Sequence, residues 1–243
     1  MKFKEFLPYL NNEEKAEEYL REAGILKKFE TCIYCNSSSL GRIRRGKIKC
    51  YSCKKEWNRR KGSIIESSKI SLIQFILFLK LYSYDFVTRI ISKEISFSKD
   101  KIIELQKIIR EEMFNSISVK NDIDKSIAVG QGIKLFLDNN HNIRIVSSEF
   151  LLNKSLKYYE ISFCRKRDNY SNYYYKFQLK IFREGINKTD ELHWFWSQNK
   201  NRFSNYKGRN VETMYLFLIE KIYRFNCRET NIYQEIISLI RVA

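Results

Sequence analysis

The amino-acid sequence predicts an α+β protein. It reads as an N-terminal helix, a four-cysteine zinc ribbon, a helix-turn-helix-like helical block, and a mixed domain in which strands give way to helices. Three observations predict this. Two Cys-x-x-Cys pairs stand close together, apolar residues at helical spacing fill the stretch after them, and short strand-like runs divided by Asn/Asp turns open the second half. The boundaries fall at 1–30 for the N-terminal helical segment, 31–66 for the ribbon, 67–118 for the helical block and 125–243 for the last domain. A hydrophobic content of 44% excludes a mainly disordered chain. Lys plus Arg number 45 against 28 Asp plus Glu, a net charge of +17. That excess points to a polyanionic partner, nucleic acid before an anionic membrane surface.

The first segment mixes charged and apolar residues, with six basic and seven acidic side chains in residues 1–30 and no continuous apolar core. It does not read as a signal peptide. Cys32-x-x-Cys35 and Cys50-x-x-Cys53 follow, with fourteen residues between the pairs. Each pair sets two thiolates on one tight turn, and two such turns complete a closed tetrahedron around Zn²⁺, a structural site with no open position. The alternatives are two redox motifs or a disulfide pair. Cys164 and Cys227 stand alone and read as buried free thiols. Around the second pair lie Arg42, Arg44, Arg45, Lys54, Lys55, Arg59 and Arg60, opposed locally only by Glu56. So localised a charge predicts phosphate contacts.

The helical block opens with a helix over Ile70 to Ser83, apolar almost all round and therefore central. A membrane helix needs about 20 apolar residues, so this one is too short to span. Asp85 is expected to cap a second helix running to Glu94, with Phe86, Ile90 and Ile91 inward. Ser96-Phe97-Ser98 breaks the pattern. A third helix, Lys99 to Phe114, keeps Ile102, Leu105, Ile108, Ile109 and Met113 on one side, with Lys99, Lys101, Gln106, Lys107 and Arg110 mainly elsewhere on its surface. Two helices, a polar break and a basic third helix outline a helix-turn-helix, with Lys99 and Lys101 toward the major groove. A plain three-helix packing block is the alternative.

In the second half, Ile133 to Leu137 is a strand ending at Asp138, and the turn Asn139-Asn140-His141-Asn142 returns it as Ile143 to Ser147. A second pair, Tyr158 to Cys164 and Tyr173 to Phe182, flanks a polar turn. Helices are expected over Thr189 to Tyr206, Val211 to Phe225 and Thr230 to Ile240. Trp194, Phe195 and Trp196 read mainly as core.

These residues resemble a family. Cys32-Ile-Tyr-Cys35, Lys49-Cys50-Tyr-Ser-Cys53-Lys-Lys-Glu-Trp57 and Lys61-Gly-Ser-Ile-Ile-Glu-Ser-Ser-Lys69 are similar to the N-terminal region of Merlin-type DDE transposases and their bacterial insertion-sequence relatives. Phe195-Trp196-Ser197, Lys200, Arg202-Phe203, Tyr206-Lys-Gly208, Tyr215-Leu-Phe-Leu218 and Tyr223-Arg-Phe-Asn226-Cys-Arg228 resemble the family's C-terminal pattern. The resemblance implies an RNase H-like core, here a truncated α/β remnant ending in helices. In the family three ligands hold two divalent ions for phosphoryl transfer in DNA. Asp138 matches the first Asp, His193 stands where the third ligand falls, and Lys200 matches a basic residue near the scissile DNA. The second Asp has no match; Asp168 is the only Asp between Asn139 and Asn187.

The function expected is therefore a transposase-like zinc-ribbon DNA-binding protein with a degenerate DDE-type core. One alternative is an active metal-dependent transposase or recombinase using Asp138, His193 and a further carboxylate. The other is a zinc-ribbon transcription or RNA-binding factor. The cofactor expected is structural Zn²⁺, with Mg²⁺ or Mn²⁺ only for an active core. The partner is double-stranded DNA, bound by the chain alone or as a homo-oligomer, with no membrane. The expected location is intracellular: nucleoid or cytoplasm in a prokaryote, nucleus in a eukaryote.

Overall fold

The computed structural model describes residues 7–117, 133–138, 140–146, 159–167, 173–181, 191–208 and 210–242. In chain order the elements are α1 (Leu7–Leu10), α2 (Glu13–Glu22), β1 (Leu40–Ile43), β2 (Lys47–Cys50), β3 (Glu56–Asn58), α3 (Leu72–Ser83), α4 (Thr88–Glu94), α5 (Lys99–Ile117), β4 (Ile133–Leu137), β5 (Ile143–Val146), β6 (Tyr159–Arg167), β7 (Tyr173–Ile181), α6 (Glu191–Asn205), α7 (Val211–Asn226) and α8 (Ile232–Leu239). The fold is mixed α+β with two small antiparallel sheets. It divides into two compact units. One runs to Ile109 and takes back the chain from Ile232 onward; the other spans Arg110–Asn231. The last helix is thus part of the N-terminal unit, whereas the sequence places it in the domain 125–243.

In the N-terminal unit α3 is central, as its all-round apolarity predicts. It packs against α1, α2, α4 and α8 and buries Leu72, Phe75, Ile76, Phe78, Leu79 and Tyr82. Full burial of one such side chain is worth about 1.5–3 kcal/mol. Ser71 starts this helix with a capping box: its hydroxyl accepts from the Gln74 N–H at 3.0 Å, and Gln74 Oε1 accepts from the Ser71 N–H at 3.0 Å. Helix α8 closes the unit through buried Tyr233, Ile236 and Ile237, and the Tyr233 hydroxyl meets that of Tyr19 at 2.8 Å.

The α3–α4 corner corrects the sequence reading. Asp85 is not a cap; it sits at φ 61 where the chain leaves α3, and α4 begins only at Thr88 behind Val87, which supplies no side-chain cap. Ile91 faces inward as expected, but Phe86 and Ile90 are exposed. On α5, Gln106 and Arg110 are buried rather than on the surface; Gln106 accepts a 2.8 Å bond from the Thr88 hydroxyl and so ties α4 to α5.

In the second unit the sheet order is β5-β4-β6-β7, every pair antiparallel. Helix α6 packs on β4 and β7, and α7 on β5 and β7. Strand β6 runs to Arg167, beyond the Cys164 expected, because it keeps β7 as a partner to that point. Gly208 pairs with Tyr175 at the outer edge of β7, and a Cβ there would lie 2.6 Å from Met214 Sδ, so any side chain at this position requires Met214 to shift. The aromatic core centres on Phe195, Phe203 and Phe217, with Tyr206 stacked on Phe217 at 3.9 Å. Trp196 stacks on Phe203, but Trp194 is 48% exposed, so only part of that aromatic triplet is core. Cys164 and Cys227 are half-buried rather than buried.

Buried charge organises α7. Glu220 accepts from Arg110 Nε at 2.7 Å and from Arg224 Nε at 2.9 Å, with Lys221 Nζ 3.9 Å away. Burial alone would raise its pKa, but Arg110, Lys221 and Arg224 hold the carboxyl well below the usual range. Asn226, at the end of α7, bonds both the N–H and the C=O of Ile143 on β5.

Candidate metal centre

The ribbon is a three-stranded antiparallel sheet, β1-β2-β3, carrying two equivalent cysteine turns. In the first, the Cys32 N–H donates to the Ser37 C=O at 2.8 Å; in the second, the Cys50 N–H donates to the Lys55 C=O at 3.0 Å. Each bond closes over the same span of five positions. Each turn is also finished by a left-handed residue just after its second cysteine: Asn36 at φ 56 and Lys54 at φ 62. Backbone N–H groups aim at the sulfurs, from Tyr34 to Cys32 Sγ at 3.4 Å and from Cys53 to Cys50 Sγ at 3.5 Å.

The four sulfurs form one cluster. Cys32 Sγ lies 3.6 Å from Cys53 Sγ, Cys35 Sγ lies 3.7 Å from Cys50 Sγ, and all four fall within 4.8 Å of one another. Four thiolates at about 2.3 Å from a central zinc would be about 3.8 Å apart. The spacing fits tetrahedral Zn²⁺ and is too long for disulfides, whose sulfurs are about 2.05 Å apart. Among the described residues this is the one grouping of three or more Cys, His, Asp or Glu side chains able to hold a metal ion. The thiols perturb one another in opposite directions. The Ser37 N–H lowers Cys35, but lost hydration and three sulfur neighbours outweigh it and push the thiol up to about 12. Cys50 is pushed down to about 6, first by the Cys53 N–H. Four thiolates cannot coexist so closely without a cation, and zinc would supply that charge.

Beneath the cluster, Cys32, Cys50, Ile48 and Trp57 form a small buried core, with Phe29 and Leu40 against it. Phe29 and Tyr34 each meet the Trp57 ring edge-on, at 5.7 and 6.0 Å between centroids.

The structure divides the basic residues of the ribbon. Arg44 and Arg45 form the exposed β1–β2 turn, and Lys54 and Lys55 are exposed beyond the second cysteine turn. Gly46 completes the Arg turn at φ 67, with Arg59 Nε 3.1 Å from where a Cβ would stand. Arg59 and Arg60 are half-buried and engaged. Arg60 Nη1 donates to the backbone carbonyls of Ser68 at 3.1 Å and Ile70 at 2.7 Å. Arg59 pairs with Glu17, a residue of α2 whose side chain is only 2% exposed. Glu17 also accepts from Arg21 Nη2 at 2.7 Å and lies 3.4 Å from Arg42 Nη2, though Arg42 remains 72% exposed. Along the sequence only Glu56 opposes the ribbon charge; Glu17 is remote in the chain and gives no local signal. Burial raises the Glu17 pKa, but Arg21, Arg59 and Arg42 outweigh it and hold the carboxyl below its ordinary value.

On α5, Lys99 and Lys101 are exposed, and Lys101 Nζ bonds Glu104 at 2.7 Å. Asp138 folds its hairpin turn. Its Oδ1 accepts from the N–H groups of Asn140 and Asn142, each at 2.9 Å, and its Oδ2 from Arg144 Nε at 2.7 Å. Desolvation raises this carboxyl, but the Asn142 N–H, Arg144 and the Asn140 N–H hold it below its ordinary value. The same turn places His141 Nδ1 3.4 Å from Glu191 Oε1, and Glu191 Oε2 lies 3.3 Å from Arg228 Nη2. His193 is half-buried and Lys200 exposed on α6; Asp138 and His193 belong to no metal-binding grouping among the described residues. Asp168 lies outside those residues.

Fold and site together give a mixed α+β chain whose four-cysteine cluster is consistent with a zinc-binding ribbon. No protein-family model, curated protein or solved structure matches the chain. No helix among the described residues is long and apolar enough to cross a membrane.

Proposed function

We propose that the chain is a zinc-ribbon DNA-binding protein of transposase type with a degenerate catalytic core. The observation that carries the reading is the ribbon itself: a closed four-sulfur site holding two exposed basic segments, Arg44–Arg45 and Lys54–Lys55, on rigid turns. Zinc fixes the turns, and the cations on them match a phosphate backbone. The helix-turn-helix part of the reading draws on α4, the break at Ile95–Ser98 and α5, with exposed Lys99 and Lys101 at the start of α5. A degenerate core is supported at Asp138. A carboxylate committed to two turn N–H groups and an arginine has no oxygen free of protein partners for bridging divalent ions. The missing match for a second Asp points the same way.

The test is duplex affinity as a function of salt. Wild type should lose affinity steeply as salt rises. The variant Arg44→Ala/Arg45→Ala should lower the log–log slope by about 2, at roughly 0.9 for each phosphate left without its cation. A flat salt response would overturn the reading.

One observation favours a second reading, a zinc-ribbon factor for RNA or single strands. Tyr34, 46% exposed on the first cysteine turn, has Lys55 Nζ 4.6 Å and Lys61 Nζ 5.6 Å from its ring centre. An exposed ring beside cations is a platform for an unpaired base. Preference for single strands over duplex, abolished by Tyr34→Ala, would favour it.

A further inference from the structure

We propose that the outer part of the β6–β7 hairpin is a second DNA-contacting element, a two-stranded arm whose Arg165, Lys166, Arg167 and Tyr173 engage a groove of duplex DNA. The inference rests on the reading that the chain binds duplex DNA, but it concerns the other unit and residues with no part in the zinc ribbon.

The arm follows from strand register. Strand β6 pairs with β4 only from Tyr159 to Ile161, while its pairing with β7 continues to Arg167 opposite Tyr173. Six residues, Ser162 to Arg167, therefore run on without β4, a length of about 20 Å at the usual rise. The outer edge of β7 is held at Tyr175 by Gly208. From there the two strands continue with only each other as sheet partners.

Alternation then decides what each face carries. Ile161, Arg165 and Arg167 share a face with their cross-strand neighbours Tyr173, Tyr175 and Phe177. Near the base this face is core: Ile161 is buried, and Phe177 packs on Phe203, Tyr206 and Phe217. Farther out the same face turns to exposed Arg165 and Arg167 around Tyr173, which is 54% exposed. Both guanidinium groups sit over that one ring, Arg165 Cζ at 3.8 Å and Arg167 Cζ at 5.6 Å from its centre. Neither arginine, nor Lys166, has an acidic partner among the described residues. Two like charges gathered on one tyrosine repel each other, and an anion between them relieves the repulsion. The closer contact, that of Arg165, restrains its guanidinium against the ring and suits the planar fork contact with phosphate or guanine.

The shape selects the partner. A two-stranded ribbon fits the major groove of B-DNA, about 12 Å wide. Lys166 projects from the face opposite the two arginines, so cations leave both faces of the arm. That arrangement matches a groove with phosphates along both walls and not a flat anionic surface such as a bilayer.

The experiment is anisotropy of a labelled duplex over about 50 to 200 mM salt, using the full chain. It compares wild type, Arg165→Ala/Arg167→Ala and Arg165→Lys/Arg167→Lys. All of these positions are exposed, and unchanged thermal melting checks that each variant is folded. We expect the alanine pair to lower the log–log slope by about 2 and to weaken binding about tenfold or more. The lysine pair should keep the slope. Wild-type duplex binding with an unchanged slope in the alanine pair would overturn the arm and leave the ribbon reading standing. Tighter binding to RNA or single strands, with the arginine effect found there, would overturn the duplex assignment. No binding by wild type would sink both.

Discussion

Lys54 and Glu17 carry much of the ribbon's organisation, and neither advertises it in the sequence. Lys54 takes a left-handed conformation that costs an ordinary residue about 1 kcal/mol. Lys54→Gly should therefore raise zinc-loaded stability by up to about 1 kcal/mol, while Lys54→Val should lower it by at least as much; a denaturant midpoint series checks both. If Lys54 is also a phosphate contact, the glycine variant will be more stable yet bind duplex less well, a separation that no purely structural role produces. Glu17 is a buried carboxylate serving three arginines. Glu17→Gln should cost about 2 kcal/mol or more, because it leaves Arg21 without its counter-ion and Arg59 with only the more distant Glu13 carboxylate at 3.9 Å. A carboxylate held below its unfolded pKa stabilises the fold above that value and loses the contribution as pH falls through the folded value. Glu17, Asp138 and Glu220 are all held low, so stability should decline as pH drops below about 4.5, less steeply in Glu17→Gln. An acid titration of unfolding free energy that is flat from pH 5 to about pH 3 would contradict the assignment.

At the scale of elements, strongly periodic helices and the cysteine spacing were legible. Helix α3 is central because it is apolar on every side, and Ser71 with Gln74 marks its start. Helices α6, α7 and α8 also fall close to their expected bounds. What misled was local punctuation. Asp85 reads as a cap, but the turn after α3 needs a left-handed residue there, and Asp tolerates that conformation well. The β6–β7 turn reads as polar from Arg165 because strand propensity does not register an arm whose outer face is Arg and Tyr. Asp138 reads equally as a turn residue or a metal ligand; its contacts in the hairpin are those of a turn residue. Asp138→Ala should therefore destabilise the second unit by about 1–2 kcal/mol while leaving duplex affinity within about twofold. Calorimetry and a binding isotherm on the same preparation decide it. Robust Mg²⁺- or Mn²⁺-dependent nicking of duplex, abolished by Asp138→Ala or His193→Ala, would instead identify a working recombinase.

For the whole molecule, net charge pointed to a polyanion, and the four cysteines to zinc, without any contact being known. Tertiary pairing was not legible. The ribbon's charge is moderated by a helix that precedes it, the N-terminal unit is closed by the last helix of the chain, and Arg110 on α5 finds Glu220 on α7. These pairs are separated by up to 218 positions, as between Arg241 and Ala23, and no local pattern encodes them. The part that both sequence and geometry specify is the four-cysteine ribbon. The most direct measurement is duplex affinity at one fixed salt concentration for protein whose zinc content has been determined, before and after extraction of the metal under reducing conditions. The expected result is one equivalent of zinc per chain, a loss of about tenfold or more in affinity on extraction, and recovery when zinc is restored. Protein with no stoichiometric zinc, or full duplex affinity after its removal, would contradict it.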